Sequence, residues 1–223
     1  MPKITNARYK EFNDATTFFK PITEEEFSTK LNKIYYRDKY KTAEVRAYCI
    51  ISYYSGLRPA EILDLKPENI DKAKGGRSID LILQAKKGGA KHPISIPKND
   101  FTSEFFEYAK AKTVPGLFVF RRLRVEQPHL VKWKVVKDGE VIEKKKLYMT
   151  TNYKVKHIVL KWFGFPPYYF RHNRFTSMLH QGASLNEIMF QKLGKTLTSV
   201  HPYLKHDVRE ARKNTRFMKP DKD

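Results

Sequence analysis

The stretch that decides the fold reads YYFRHNRFT and occupies residues 168–176 of the 223-residue chain. Its Arg171 stands just before a segment whose apolar residues recur at helical spacing. Far upstream, residues 55–61 read SGLRPAE and place a second arginine, Arg58, directly before a proline. Because proline is favoured at the first helical position, Arg58 is expected at the N-terminal end of a helix. Both arginines are therefore expected near the beginning of a helix.

A lone tyrosine and a strong positive charge complete the pattern. Tyr203 lies in the sequence VHPYL, after a predicted helical hairpin. The chain has 44 Lys and Arg against 24 Asp and Glu, which gives a formal net charge of +20. An excess of this size fits a polyanionic partner, with nucleic acid first and a membrane surface second. Two arginines and a downstream tyrosine in so basic a chain suggest chemistry on a DNA phosphate.

Composition argues against several other classes of protein. No apolar run reaches the roughly 18 residues of a membrane span. No signal-peptide pattern opens the chain, and no basic amphipathic helix with a wide apolar face indicates a membrane-surface protein. The single cysteine, Cys49, excludes an internal disulfide and a cysteine-rich zinc site, which favours a reducing, cytoplasmic setting. We interpret Cys49 as a small core residue rather than a nucleophile.

Periodicity predicts a mainly α fold with a small antiparallel β-sheet, in the α+β class. Capping boxes are expected at Thr23 with Glu26 and at Ser184 with Glu187, each opening a helix. Further helices are predicted at residues 42–54, 59–66, 100–112 and 152–163, and through Phe175 to about Gly182. Alternating apolar residues predict a hairpin of strands 78–85 and 92–97, and a second, very basic hairpin over residues 131–149 that turns at Asp138 and Gly139.

The predicted organisation is one domain with extensions. Residues 1–19 have little periodicity and are interpreted as a linker or N-terminal extension. Residues 20–223 form the domain, in which residues 131–149 are a basic hairpin insertion and residues 204–223 a charged C-terminal tail.

Five elements resemble the tyrosine recombinases, the family of phage integrases and Xer-type proteins. Residues 56–62, GLRPAEI, are similar to the first motif of that family, and residues 168–176 resemble the second. Leu193-Gly194-Lys195 is similar to the Leu-Gly-His that follows, Lys86-Lys87-Gly88 between two strands resembles the hairpin of the catalytic lysine, and Tyr203 falls at the position of the nucleophile. The resemblance runs from about residue 22 to the end, and it implies the tyrosine recombinase catalytic-domain fold.

Two departures from the family pattern concern acid–base groups. Tyr168 stands where the family usually has a histidine, and Lys195 stands where it has a histidine or tryptophan. Such residues resemble divergent archaeal or archaeal-virus integrases more than bacterial ones. The family's upstream core-binding domain has no counterpart here, which implies a catalytic-domain fragment or a naturally reduced protein.

The resemblance implies site-specific DNA recombination through a 3′-phosphotyrosine formed by Tyr203. It implies that Arg58 and Arg171 stabilise the negatively charged phosphorane. It also implies that Lys86 or Lys87 donates a proton to the leaving oxygen. Lys195 would donate a hydrogen bond to the phosphate, whereas Tyr168, at a catalytic position, is more suited to packing or hydrogen bonding. Glu61 is expected to brace the Arg58 region. Further DNA contacts are expected from His172, Arg174, Lys91, Lys132 and Lys134.

The implied partner is double-stranded DNA, bound by a tetramer on paired sites and by a monomer or weak oligomer otherwise. No metal or nucleotide cofactor is implied. Two alternatives stay open: a non-catalytic DNA-binding protein on the same fold, and nicking-closing activity alone, as in type IB topoisomerases. Individual residues also have plainer interpretations, such as solvated lysines at the hairpin tips, a solvated basic insertion, and Tyr168 or Tyr169 in place of Tyr203.

Overall fold

A long central helix organises the domain. The computed structural model describes residues 21–70, 78–84, 91–111, 114, 116–137, 140–150 and 152–191. In chain order the described elements are α1 (Glu24–Asn32), α2 (Lys39–Ser55), α3 (Pro59–Leu63), a 3₁₀ turn (Pro67–Asn69), β1 (Ser78–Gln84), β2 (Lys91–Pro97), α4 (Asp100–Lys110), β3 (Gln127–Lys137), β4 (Glu140–Thr150), α5 (Tyr153–Phe163), α6 (Tyr168–His180) and α7 (Leu185–Gln191). The α+β class predicted from periodicity is confirmed.

Local hydrogen bonds explain where the helices begin. Thr23 Oγ1 accepts from the Glu26 amide at 3.1 Å while Glu26 accepts from the Thr23 amide at 3.0 Å, so this capping box is confirmed. The box at Ser184 and Glu187 is also present. Helix α2 begins three residues before the predicted Thr42, because the Asp38 side chain accepts from the amides of the first turn.

Two other predicted boundaries were wrong. Helix α3 ends at Leu63 rather than at residue 66, since the chain turns into the 3₁₀ segment whose start is capped by Asn69. The basic hairpin runs from Gln127 to Thr150 rather than over 131–149, because cross-strand pairing extends strands beyond their alternating residues. The predicted turn at residues 138 and 139 lies outside the described residues.

The core surrounds α2, which packs against α4, α6 and β2. Val45, Tyr48 and Cys49 are fully buried, as the interpretation of Cys49 as a core residue requires. A cluster of aromatic rings joins α1, α5 and α6: Phe27 lies 5.7 Å from Phe163, which lies 5.0 Å from Phe170 between ring centroids. Tyr53 of α2 joins the cluster, 4.1 Å from Phe27 and 6.4 Å from Phe170, so this packing fixes α6, the helix that carries Arg171, against α2.

The described strands form two separate antiparallel pairs. Strands β1 and β2 pair from Ser78 opposite Pro97 to Gln84 opposite Lys91, and β3 and β4 pair over eleven positions. Within the described part of the chain, no helix is long and apolar enough to cross a membrane.

Candidate functional site

The site begins where α2 ends. Gly56 terminates that helix with φ of 64°, a left-handed conformation that favours glycine. Leu57 is buried, and Arg58 then stands immediately before α3 with Pro59 at its first position, as predicted. The side chain of Arg58 is 49% exposed. The local sequence therefore presents a half-exposed guanidinium at the surface of a well-packed loop.

Glu61 holds Arg58 in place through two hydrogen bonds. Its Oε2 accepts from the Arg58 amide at 2.7 Å, and its Oε1 accepts from Arg58 Nη1 at 2.7 Å. The Glu61 side chain is only 11% exposed. A carboxylate bonded to a guanidinium makes a stronger, shorter hydrogen bond than a neutral pair does. Glu61 thus braces Arg58, as the sequence led us to expect.

The second arginine reaches the same loop from α6. Arg171 is 0% exposed, and its Nη1 donates to the carbonyl oxygen of Gly56 at 2.7 Å. The same Nη1 lies 3.9 Å from Glu61 Oε2. Its guanidinium carbon lies 4.9 Å from the centroid of the Phe175 ring, one turn further along α6. Two arginines that are distant in sequence therefore meet at one carboxylate, with one positive charge in excess.

Close packing at Gly56 locks the loop against α6. A Cβ at this position would lie 3.0 Å from Arg174 Cγ and 3.2 Å from Phe175 Cζ. Such distances are too short for ordinary carbon contacts, so the backbone approach depends on glycine here. The spacing between Arg58 and Arg171 is consequently set by rigid packing.

Tyr168 and His172 lie one turn apart at the beginning of α6. Tyr168 is 43% exposed, and its ring lies edge-on to that of His172 with centroids 5.0 Å apart. The packing role expected for Tyr168 is therefore observed, while its catalytic role stays a prediction. Neighbouring Tyr169 stacks on Phe165 at 4.2 Å, and burial raises the pKa of Tyr169. Burial thus disfavours the ionised form of Tyr169.

Arg174 lines a groove between α1, α2, β2 and α6. The groove has a volume of about 760 Å³ and is also lined by Tyr53, Tyr54 and Asn99. Burial lowers the pKa of the Arg174 guanidinium. The adjacent Asn173 accepts a 2.7 Å hydrogen bond from the Ile22 amide, which fixes the chain at this groove. A DNA contact from Arg174 remains a prediction.

Several predicted residues cannot be placed beside the two arginines. Lys86, Lys87, Lys195 and Tyr203 lie outside the described residues. Lys91 lies on β2, and Lys132 and Lys134 lie on β3, where only the backbone is described. Among the described residues, no group of three or more His, Cys, Asp or Glu could hold a metal ion.

One group of the site, the carbonyl oxygen of Gly56, was missed by sequence reasoning. The Gly-Leu-Arg run indicates a helix end followed by an arginine. That the carbonyl of this glycine accepts from Arg171 depends on how α6 packs against α2. A local motif contains no signal for such a contact.

Comparisons with known proteins support the fold. No family model matches the chain, and no curated protein matches it. Among solved structures, the XerH site-specific recombinase bound to palindromic difH substrate has a TM-score of 0.61 at 15% identity, over 89% of this chain and 53% of that one. The XerA recombinase has a TM-score of 0.56 at 14% identity, over 88% of this chain and 63% of that one.

A third structure, the Tn1549 transposon integrase with transposon right end DNA, has a TM-score of 0.51 at 15% identity, over 95% of this chain and 70% of that one. The chain thus spans about half the length of the XerH chain. At these identities the likeness concerns the fold alone. The predicted tyrosine recombinase catalytic-domain fold is confirmed.

Proposed function

We propose that this chain recombines DNA at specific sites by cutting and rejoining it through a 3′-phosphotyrosine. One observation carries the proposal: Arg58 and Arg171 converge on Glu61, with Nη1 atoms 2.7 and 3.9 Å from its carboxylate oxygens. The neighbours in fold support it, because XerH is a site-specific recombinase bound to a DNA substrate and the Tn1549 protein is an integrase. The motif order in the sequence agrees with both.

The paired arginines suit the transition state of this reaction. Attack on a phosphodiester gives a pentacoordinate phosphorane with extra negative charge, and guanidinium groups bind its non-bridging oxygens in a bidentate manner. Arg58, which is half exposed, would exchange part of its contact with Glu61 for the phosphate. Arg171 is fully buried, so the groups that cover its guanidinium must move aside when DNA binds.

Tyr203 would act as the nucleophile. Its oxygen forms a bond to phosphorus while the bond from phosphorus to the 5′ oxygen breaks, and the phenolic proton passes to a base. Lys86 or Lys87 would give a proton to the departing 5′ oxygen. Lys195 would donate a hydrogen bond to the phosphate, and Tyr168 would position His172 by packing. The phosphotyrosine keeps the energy of the phosphodiester, so rejoining requires no nucleotide cofactor.

The proposed partner is double-stranded DNA, bound by four copies on paired sites and by one copy or a weak oligomer otherwise. Binding would use His172, Arg174, Lys91, Lys132 and Lys134. Tyr168 and Lys195, at positions where the family has other residues, support the proposal that the chain resembles divergent archaeal or archaeal-virus integrases. The boundary near residue 20, the tail 204–223 and a cytoplasmic setting belong to the same proposal.

A binding-only protein is the second candidate. The observation in its favour concerns Tyr168, which stands at the family's histidine position. Its side chain is half exposed and its ring packs on that of His172. A nicking-closing enzyme would share the first step of the chemistry and lack strand exchange.

Covalent trapping distinguishes these functions. The probe is a pool of nicked suicide duplexes with randomised sequence, so that many candidate target sites are sampled at once. We expect the wild type to give a DNA adduct on a denaturing gel and Tyr203→Phe to give none. Tyr35→Phe, which changes an exposed tyrosine in the loop between α1 and α2, is the matched control and should keep the adduct. Salt-sensitive binding without any adduct would favour the binding-only protein.

A further inference from the structure

The ribbon of β3 and β4 has no part in the proposed chemistry at the arginines. Its eleven cross-strand pairs run from Gln127 opposite Thr150 to Lys137 opposite Glu140. At ~3.4 Å per residue, such a ribbon is about 37 Å long. A bridge between Val125 and Asn152 closes its base. The chain therefore leaves the domain and returns to it at one point, which makes the ribbon a discrete insertion.

The ribbon carries a concentrated positive charge. Its two strands contain six lysines against two glutamates, namely Lys132, Lys134, Lys137, Lys144, Lys145, Lys146, Glu140 and Glu143. The register places Lys132 directly opposite Lys145. The two glutamates lie opposite lysines, Glu143 opposite Lys134 and Glu140 opposite Lys137, so the pair of Lys132 and Lys145 is left with like charges facing each other. Like charges at directly opposed positions destabilise a strand pair. A bound polyanion would remove this repulsion.

The register also separates the lysines between two faces. Cross-strand partners share a face, and successive pairs alternate between faces. Lys132, Lys134 and Lys145, together with Glu143 opposite Lys134, therefore belong to the face that contains Pro128 and Leu147, which has two positive charges in excess. Leu147 is 62% exposed and Pro128 is exposed, so this face is open to solvent at its described side chains. These two positions leave room for a partner next to the pair of Lys132 and Lys145.

We propose that the ribbon face defined by Lys132, Lys134 and Lys145 binds the phosphates of duplex DNA away from the phosphate that is cut. This inference rests on the proposed function for the identity of the polyanion. The major groove admits a two-stranded ribbon, and a ribbon of about 37 Å matches roughly one turn of duplex, ~34–36 Å. Phosphate contacts of this kind supply affinity and salt dependence and carry no base sequence.

The salt dependence of DNA binding tests the proposal. The probe is a fluorescein-labelled duplex of random sequence, and the test variant is Lys132→Gln/Lys134→Gln/Lys145→Gln. The control, Lys33→Gln/Lys98→Gln/Lys110→Gln, removes the same charge from exposed lysines elsewhere. At ~0.9 per phosphate contact, the test variant should lower the slope of log Kd against log salt concentration by about 2 to 3. The control should leave the slope near that of the wild type.

The possible outcomes separate this inference from the proposed function. Equal slopes for the test variant and the control would overturn the role of the ribbon, even where the wild type forms the covalent adduct. The same slope change on single-stranded DNA of equal length would overturn the assignment to duplex. A slope that depends on the ribbon, in a chain that forms no adduct, would support the ribbon and refute the proposed chemistry. Absence of any DNA binding by the wild type would overturn both.

Discussion

Arg171 Nη1 donates a 2.7 Å hydrogen bond to the carbonyl oxygen of Gly56, 115 residues earlier in the chain. The contact joins α6 to the loop that presents Arg58, and both ends of it are buried. A buried carbonyl without a donor costs about 1–3 kcal/mol, so this hydrogen bond serves stability as well as geometry. The relative position of the two arginines is therefore part of the core.

Replacement of Arg171 should affect both stability and chemistry. Arg171→Lys removes the planar fork, so the free energy of unfolding should fall by about 1–3 kcal/mol and adduct formation should slow by about 10²–10³-fold. The control is Arg46→Lys, because Arg46 makes a two-point ion pair with Glu104 and donates to the Leu31 carbonyl at 2.9 Å. Urea unfolding and single-turnover trapping measure the two effects. A control that slowed adduct formation equally would assign the loss to general destabilisation.

Gly56 should tolerate no side chain. Gly56→Ala combines a left-handed backbone with a Cβ 3.0 Å from Arg174 Cγ, and we expect a loss of about 2–4 kcal/mol from strain and overpacking together. Gly164→Ala is the matched variant, since Gly164 has φ of 83° with nothing within 4 Å of its Cβ. It should lose only the backbone part, about 1 kcal/mol. Equal losses in urea unfolding would show that the close contact with α6 has no energetic weight.

Glu61 should act as a positioning residue for both arginines. Glu61→Ala removes the acceptor of the Arg58 amide and guanidinium, so Arg58 loses its fixed position. Misplacement of such a group by about 1 Å costs about 10²-fold in rate, which we expect in single-turnover trapping.

The matched variant for Glu61 is Glu26→Ala, which disrupts the capping box of Thr23 and Glu26, a box that contains no arginine. Each variant loses a capping interaction, so the free energy of unfolding should fall by about 1 kcal/mol in both. Only Glu61→Ala should slow the formation of the DNA adduct. An unchanged adduct rate in Glu61→Ala, measured at saturating DNA, would remove Glu61 from the site.

Cys49 should be inert in the folded protein. It is fully buried, and burial raises the pKa of its thiol. We expect no labelling of Cys49 by N-ethylmaleimide in buffer and complete labelling in urea, as read by mass spectrometry. The unfolded thiol ionises above its usual pKa of about 8.5, whereas the folded thiol stays protonated there. The contribution of Cys49 to the free energy of unfolding is therefore fully present below that pH and decreases as the pH rises above it. Rapid labelling of the native chain would contradict the core position.

Sequence-local signals were sufficient for most elements of the fold. The capping boxes at Thr23 and Ser184 and the glycine stop at Gly56 are short-range hydrogen-bond patterns, and the structure contains all three. The beginning of α2 was missed because Asp38 caps it from within a run of charged residues that resembles a loop. The ribbon was predicted too short, since its outer pairs depend on the partner strand.

The candidate site was predictable only in part for a similar reason. The motif around Arg58 placed that residue at a helix start, and Glu61 beside it, through contacts within three residues. The approach of Arg171 to Gly56 and Glu61 depends on the packing of α6 on α2, which no local pattern encodes. The roles of Lys86, Lys87, Lys195 and Tyr203 stay predictions.

Identification of the tyrosine that carries DNA tests the central claim most directly. Trapped adduct from the suicide duplex pool would be digested with nuclease and protease, and the modified peptide sequenced by tandem mass spectrometry. The proposed mechanism predicts one nucleotide-bearing residue, Tyr203, joined through a 3′-phosphate. A nucleotide on Tyr168, on Tyr169 or on any other residue, or one joined through a 5′-phosphate, would contradict it.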